Sequence, residues 1–156
     1  SLPLIEQCIA SVAKEKEAIA AQKTQLIHSD IHPHNILCHE KSEVTILDLD
    51  GIRESERIRD IAMAIYRVGR QFYIEKKYDS VQTEIIELVR HFLEAYESVF
   101  PLTGTEKRLL PFVIKDEFIR KILFVLQGIY KEGNRAWAND MPKFLRALTE
   151  IDLFWP

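Results

Sequence analysis

Between Ile27 and Gly51 the chain reads His28-Ser29-Asp30-Ile31-His32-Pro33-His34-Asn35, and then runs through apolar residues to Asp48-Leu49-Asp50-Gly51. Two short apolar segments, Ile36 to Cys38 and Val44 to Leu47, enclose the polar stretch His39-Glu40-Lys41-Ser42-Glu43, which is the pattern of a small hairpin. The hairpin leaves an acid and an amide just ahead of its first strand and a second acid just after its last.

Asp30, Asn35 and Asp48 are the residue types that a phosphoryl-transfer site around a divalent cation needs. That chemistry asks the protein mainly to position a nucleophile and to neutralise charge on the moving phosphoryl group. Asp30 would accept or orient the proton of a substrate hydroxyl. Asn35 would offer a neutral carbonyl oxygen to the metal and Asp48 an anionic one. Hard oxygen donors in small number suit Mg²⁺, which keeps its waters and binds substrate phosphates.

On these residues the chain resembles the aminoglycoside phosphotransferase, choline kinase and homoserine kinase family of protein-kinase-like small-molecule kinases. The family's catalytic-loop pattern, His-Gly-Asp, four residues, then Asn, is matched by His28, Ser29, Asp30 and Asn35, with Ser in place of Gly. Its metal strand ending in Ile-Asp resembles Ile46-Leu47-Asp48, and its Asp-Ile/Leu-Ala helix start resembles Asp60-Ile61-Ala62. The wording His-Pro-His-Asn and Leu-Asp-Leu-Asp is most similar to the homoserine kinase and spore-coat kinase branch.

The resemblance implies a mainly α (α+β) fold: the helical C-terminal lobe of a protein-kinase-like fold, with one small β-hairpin carrying the catalytic and metal-binding loops. It implies ATP and Mg²⁺ as cofactors and a small-molecule hydroxyl acceptor as partner. The nucleotide lobe of such kinases, with its phosphate-covering loop and strand Lys, has no counterpart in the 27 residues ahead of His28, which hold no Gly. Residues 1–156 are therefore expected to be a single domain whose partner is its own N-terminal lobe. By itself that domain would fold, expose the lobe interface to self-association, and not catalyse. An inactive kinase-like fragment or interaction domain is the alternative. Intact Asp30, Asn35 and Asp48 argue against decay, while the missing lobe argues for inactivity of this piece.

Composition suits one globular domain: 156 residues, 47% of them apolar, are ample for a core. A net charge of −3 gives no electrostatic footprint for nucleic acid. No apolar run approaches a membrane span of about 20 residues, and no secretory signal opens the chain. Cys8 and Cys38 lie in apolar surroundings without metal spacing and read as buried thiols, so the cytoplasm is the expected compartment.

Apolar periodicity predicts helices around the hairpin. Leu4, Ile5, Cys8, Ile9 and Val12 mark the first, in a helix taken to run from Ser1 to Gln25. Ile61, Ala64, Ile65, Val68 and Phe72 mark a helix begun at Asp60, and Ile85 to Val99 another, ended before Pro101. A third helical region starts at Thr105, is interrupted at Pro111, and is apolar nearly all round from Phe118 to Tyr130, which predicts a central position. Gly133 is its stop. Pro142 to Leu148 is a last short helix, with Phe154 and Trp155 packing back.

Several of these residues carry plainer readings. His28 fixes its loop through backbone hydrogen bonds rather than acting as ligand or base. His28, His32, His34 and Asp30 mimic a zinc cluster, but no further His follows at zinc-ligand spacing. Asp60 caps a helix and braces the loop. Asp50 either joins the metal shell or holds the turn at Gly51. Trp137 reads as a core aromatic, and Asp116 with Glu117 as a solvated helix face, rather than as the wall of an amine site.

Overall fold

The computed structural model describes residues 2–40, 43–75 and 82–155, with the side chains of all of these except 72–75 and 82. Among the described residues there are five helices and two small antiparallel ribbons. In chain order they are α1 (Leu2–Ala20), β1 (Thr24–Ile27), β2 (Ile36–Cys38), β3 (Val44–Ile46), β4 (Arg53–Glu56), α2 (Ile58–Glu75), α3 (Gln82–Glu97), α4 (Gly104–Glu132) and α5 (Met141–Glu150). Short 3-10 turns at Pro33–Asn35, Leu49–Gly51, Arg135–Asp140 and Ile151–Leu153 join or end them.

The expected hairpin is β2 with β3, Ile36 opposite Ile46 and Cys38 opposite Val44. His39 N–H donates to the Glu43 carbonyl across its turn, and Lys41 and Ser42 lie outside the described residues. The second ribbon is new. β1 pairs with β4 from Thr24 opposite Glu56 to Ile27 opposite Arg53, so the first helix stops at Ala20 instead of continuing to Gln25. Arg-Glu-Ser-Glu has no strand signature of its own, and a partner some thirty residues away supplies the ladder that makes it one. The two ribbons enclose the loop that holds Asp30.

α4 packs against α1, α2 and α5 and is the axis of the core. It begins with a capping box: Thr103 Oγ1 accepts from Glu106 N–H, and Glu106 Oε2 accepts from Thr103 N–H. The same carboxylate takes Arg57 Nε at 2.6 Å and Nη2 at 2.8 Å, tying the end of β4 to the start of α4. Pro111 does not interrupt the helix. It removes one donor, but Leu109, Leu110, Val113 and Ile114 around it are at most 1% exposed, and their packing outweighs the lost bond.

The stretch from Phe118 to Tyr130 is buried on one side only. Phe118, Ile119, Ile122 and Val125 face the core, while Leu123, Phe124 and Tyr130 are exposed. In α2 the expected inner residues Ile61, Ala64 and Ile65 are buried, Val68 is half-buried, and the side chain of Phe72 is outside the described residues. Val99 lies beyond α3 and is exposed, and Ile9 of α1 is largely exposed. Cys8 is buried but Cys38 is not, because the β2–β3 ribbon has no further layer over that side. Leu37, Val44, Ile46, Leu47, Leu49 and Ile52, on that ribbon and the loop after it, are likewise exposed. Among the described residues no helix is long and apolar enough to cross a membrane.

Gly133 ends α4 in the left-handed region (φ 67°), as its spacing predicts. The chain then returns through α5 so that Phe154, fully buried, presses its ring on Gly69 of α2. A Cβ at Gly69 would stand 2.6 Å from that ring. Alanine within a helix ordinarily gains about 1 kcal/mol over glycine, but overpacking a tight core costs about 1–3 kcal/mol. Gly69→Ala is therefore expected to lower the melting temperature, and an unchanged or raised value in thermal denaturation would refute this packing.

Two carboxylates tie the fold's stability to acid pH. Hydrogen bonds from Arg57 hold Glu106 down at about 2. Burial alone would raise Glu56, yet bonds from Arg59 and Ser55 also bring it to about 2. Both folded values lie below the unfolded carboxyl value near 4.3, so their stabilisation is complete above that value and is lost as pH falls toward 2. Denaturant midpoints should drop over that window, and Glu106→Gln should flatten the drop.

Candidate active site

α2 begins at Ile58, so Asp60 is not the helix cap expected of it; from the first turn it sends its carboxylate back to the loop after β1. Oδ2 accepts from His28 N–H at 2.6 Å and Oδ1 from Ser29 N–H at 2.8 Å. The His28 ring then reaches across the loop. Nε2 donates to the Leu47 carbonyl at 2.7 Å, and Nδ1 accepts from Asp30 N–H at 3.3 Å, a pair that fits the neutral imidazole protonated on Nε2. Through this one side chain the residue before Asp48 is linked to Asp30.

Asn35 closes the other side. Its Nδ2 donates to the Asp30 carbonyl at 3.1 Å, its N–H donates to His32 O, and its own carbonyl accepts from Leu47 N–H at 2.9 Å. Committing the amide nitrogen to Asp30 leaves Oδ1 as the side chain's remaining polar atom. Asp48 has φ 59°, left-handed, and its side chain caps nothing in the 3-10 turn that it opens. Asp48 and Asp50 are both exposed beside that turn. Gly51 sits where a Cβ would meet the His28 carbonyl at 3.1 Å, so the metal-side and catalytic loops touch backbone to backbone.

The Asp30 carboxylate is 46% exposed and stands between two bases. Lys121 Nζ of α4 is 3.5 Å from Oδ1 and His32 Nε2 is 3.6 Å from Oδ2. Burial, aided by nearby Arg67, lowers the His32 pKa against the pull of Asp30. Lys121 supplies the side-chain ammonium beside Asp30. Behind them Arg59 is buried among three carboxylates: Glu56 at 2.6 Å, Asp116 at 2.9 Å and Glu117 at 2.6 Å. Burial works against this guanidinium's charge, but the hydrogen bonds it donates to Glu56 and Asp116 win and raise its pKa. Glu117 is thus buried rather than part of a solvated face, and Trp137 is half-buried over Gly128 instead of central in the core.

A family model described as the phosphotransferase enzyme family matches residues 2–110. The chain belongs to that family. Its members include the aminoglycoside phosphotransferases, and the helical fold with its small ribbons agrees with a solved structure described as amicoumacin kinase hAmiN in complex with AMP-PNP, Ca²⁺ and Ami. That likeness has a TM-score of 0.60 at 21% identity, over 99% of this chain and 45% of that one. The chain therefore spans less than half the length of the kinase structure it matches. A search of curated proteins found no match.

Asn35 and Asp48 flank the Leu47 backbone, whose N–H donates to the Asn35 carbonyl and whose carbonyl accepts from His28, and each carries a hard oxygen donor on its side chain. That donor set fits a divalent cation such as Mg²⁺. His28 commits both ring nitrogens to the loop, and no group of three or more His, Cys, Asp or Glu among the described residues is arranged to hold a metal. Lys121 and Arg59 were not singled out in the sequence. One basic residue among 21 carries no signal until the helix that bears it is packed against the loop.

Ser29 did carry a signal. It stands where the resembled pattern has Gly, and its φ of 73° is left-handed. Its Oγ is buried without a hydrogen-bond partner among the described residues, so the side chain stabilises nothing visible there. Left-handed backbone costs an ordinary residue about 1–2 kcal/mol, more where Cβ is branched. Ser29→Val is expected to destabilise, by the extra cost of a branched Cβ over the one Ser29 already carries, while Ser29→Gly leaves the midpoint unchanged or higher. A destabilised Ser29→Gly in chemical denaturation would contradict the strain.

Proposed function

We propose that the chain is the C-terminal catalytic lobe of an ATP- and Mg²⁺-dependent kinase that phosphorylates a hydroxyl of a small molecule. The observation that carries this reading is the single hydrogen-bonded frame around Asp30, Asn35 and Asp48, held by the His28 ring and the Asp60 carboxylate. Phosphoryl transfer depends on such positioning more than on covalent chemistry by the protein. In this reading Asp30 orients the acceptor hydroxyl and takes its proton, and Asn35 and Asp48 hold the metal. Asp50 is a neighbouring anion at the rim. His28 and Asp60 are positioning residues, acting through the loop backbone. Mg²⁺ would supply charge neutralisation at the nucleotide phosphates.

The exposed apolar residues Leu37, Val44, Ile46, Leu47, Leu49 and Ile52 support a second part of the proposal, that a nucleotide-binding lobe packs on the β2–β3 ribbon and the loop after it. Such a surface, left bare, favours self-association, and the 156-residue lobe alone should not turn over. Its thiols, one of them exposed and neither in a disulfide, suit the reducing cytoplasm.

The test is phosphate transfer from ATP by the full-length protein to a panel of hydroxyl acceptors, among them amino sugars, choline, ethanolamine, homoserine and neutral sugars. Asp30→Asn should lower kcat by about 10²-fold or more with nucleotide affinity nearly unchanged. Asp48→Asn should also weaken Mg-nucleotide binding. Wild-type turnover in both variants would show the site to be misassigned, and no transfer to any acceptor would favour an inactive interaction domain.

A further inference from the structure

A cavity of about 490 Å³ opens beside the catalytic loop, bounded by Ser29, Lys121, Phe124, Trp137, Asp140 and Phe144 among others. A smaller one of about 180 Å³ is lined by Asp30 itself and shares Lys121 and Phe144 with the first. A molecule seated in the larger cavity therefore borders the Asp30 carboxylate across Lys121, whose Nζ is 3.5 Å from it.

The apolar wall of this cavity is a stacked pair. Phe124 and Trp137 have ring centroids 4.9 Å apart with an interplanar angle of 23°. Trp137 packs closely on α4 because Gly128 has no Cβ, which would stand 2.7 Å from the indole. The indole in turn backs Phe124, a residue 61% exposed. A planar apolar surface kept rigid and bare at a cavity is a preformed place for another ring, since offset stacking adds to what area burial alone contributes.

Charge narrows the occupant further. The cavity wall contains two carboxylates, and both are paired: buried Glu117 accepts from Arg59 at 2.6 Å and Arg53 at 3.3 Å, and Asp140 meets Lys143 at 2.8 Å. Arg53, Arg120 and Lys121 border the same space, each paired in turn with Glu117, Asp116 or Asp30. With both carboxylates of the wall already paired, a polycation finds no free anionic partner there.

We propose that this cavity is the acceptor subsite and that it takes a neutral hydroxyl compound bearing a planar aromatic ring, stacked on Phe124 with a hydroxyl turned toward Asp30, while disfavouring polycationic amino sugars. The assignment of an acceptor rests on the kinase reading above; the ligand chemistry rests on the cavity alone.

Binding without nucleotide keeps the two apart. The full-length protein is titrated with phenyl β-D-glucopyranoside, methyl β-D-glucopyranoside as the ring-free control, and kanamycin as the polycation, followed by tryptophan fluorescence and calorimetry. The phenyl glucoside should bind saturably, about tenfold more tightly than the methyl glucoside, and lose about tenfold in Phe124→Ala but not in Phe124→Tyr. Phe124 is exposed, and thermal melts of each variant verify that the fold is kept. No saturable binding of the phenyl glucoside, binding indifferent to Phe124→Ala, or tighter binding of kanamycin would each overturn the proposal. Loss of ATP-dependent transfer in the acceptor panel, with these binding results intact, would instead count against the kinase reading.

Discussion

The Asp60 carboxylate is the contact on which the rest of the site depends. It is fixed in the first turn of α2, a helix whose neighbours Ile58, Ile61 and Ala62 are fully or almost fully buried, so its position is set by the core and not by the loop it serves. Two backbone amides of the loop end on its two oxygens. A carboxylate accepting backbone N–H groups makes a charge-assisted bond, about twice as strong as a neutral one, and it leaves little freedom to the residues that donate. The left-handed Ser29 is the cost of that arrangement, since both amides can face Asp60 only if the chain turns sharply between them.

From that anchor the order spreads by short steps. His28, held by its amide, turns its ring to Leu47, and Asn35 ties its own backbone to the same residue. Asp30 and Asp48 are thereby related through two independent links rather than by the length of the hairpin between them. A hairpin of three-residue strands is marginal in isolation, and here it is steadied at its base instead of along its ladder. The close approach of Gly51 to the His28 carbonyl belongs to the same economy of space.

Ion pairs fasten this assembly to the helices. Arg57 and Arg59, on either side of the β4–α2 junction, reach Glu106 near the start of α4 and Asp116 and Glu117 further along it. Breaking one partner of a buried pair strands the other charge and costs about 3–5 kcal/mol, although the intact pair need not outdo a well-packed apolar one. Their value here is geometric. They fix how α4 lies over the loop, and with it where Lys121 stands beside Asp30 and where Phe124 and Trp137 stand beside Ser29.

The local signals in the sequence were sufficient for the hairpin strands, for the Gly133 stop and for the last helix, because each is written in neighbouring residues: alternation, a glycine free to take positive φ, a proline near a helix start. The spacing of His28, Asp30, Asn35, Asp48 and Asp60 likewise determined the family by itself. The β1–β4 ribbon was invisible, since Arg53 to Glu56 becomes a strand only against Thr24 to Ile27. So were the burial of Glu117 and the exposure of Phe124, which depend on which face of α4 meets α1, α2 and α5. Those outcomes are decided by contacts between residues far apart in the chain, whose free energy exists only once the whole core has closed, and no local pattern can carry it.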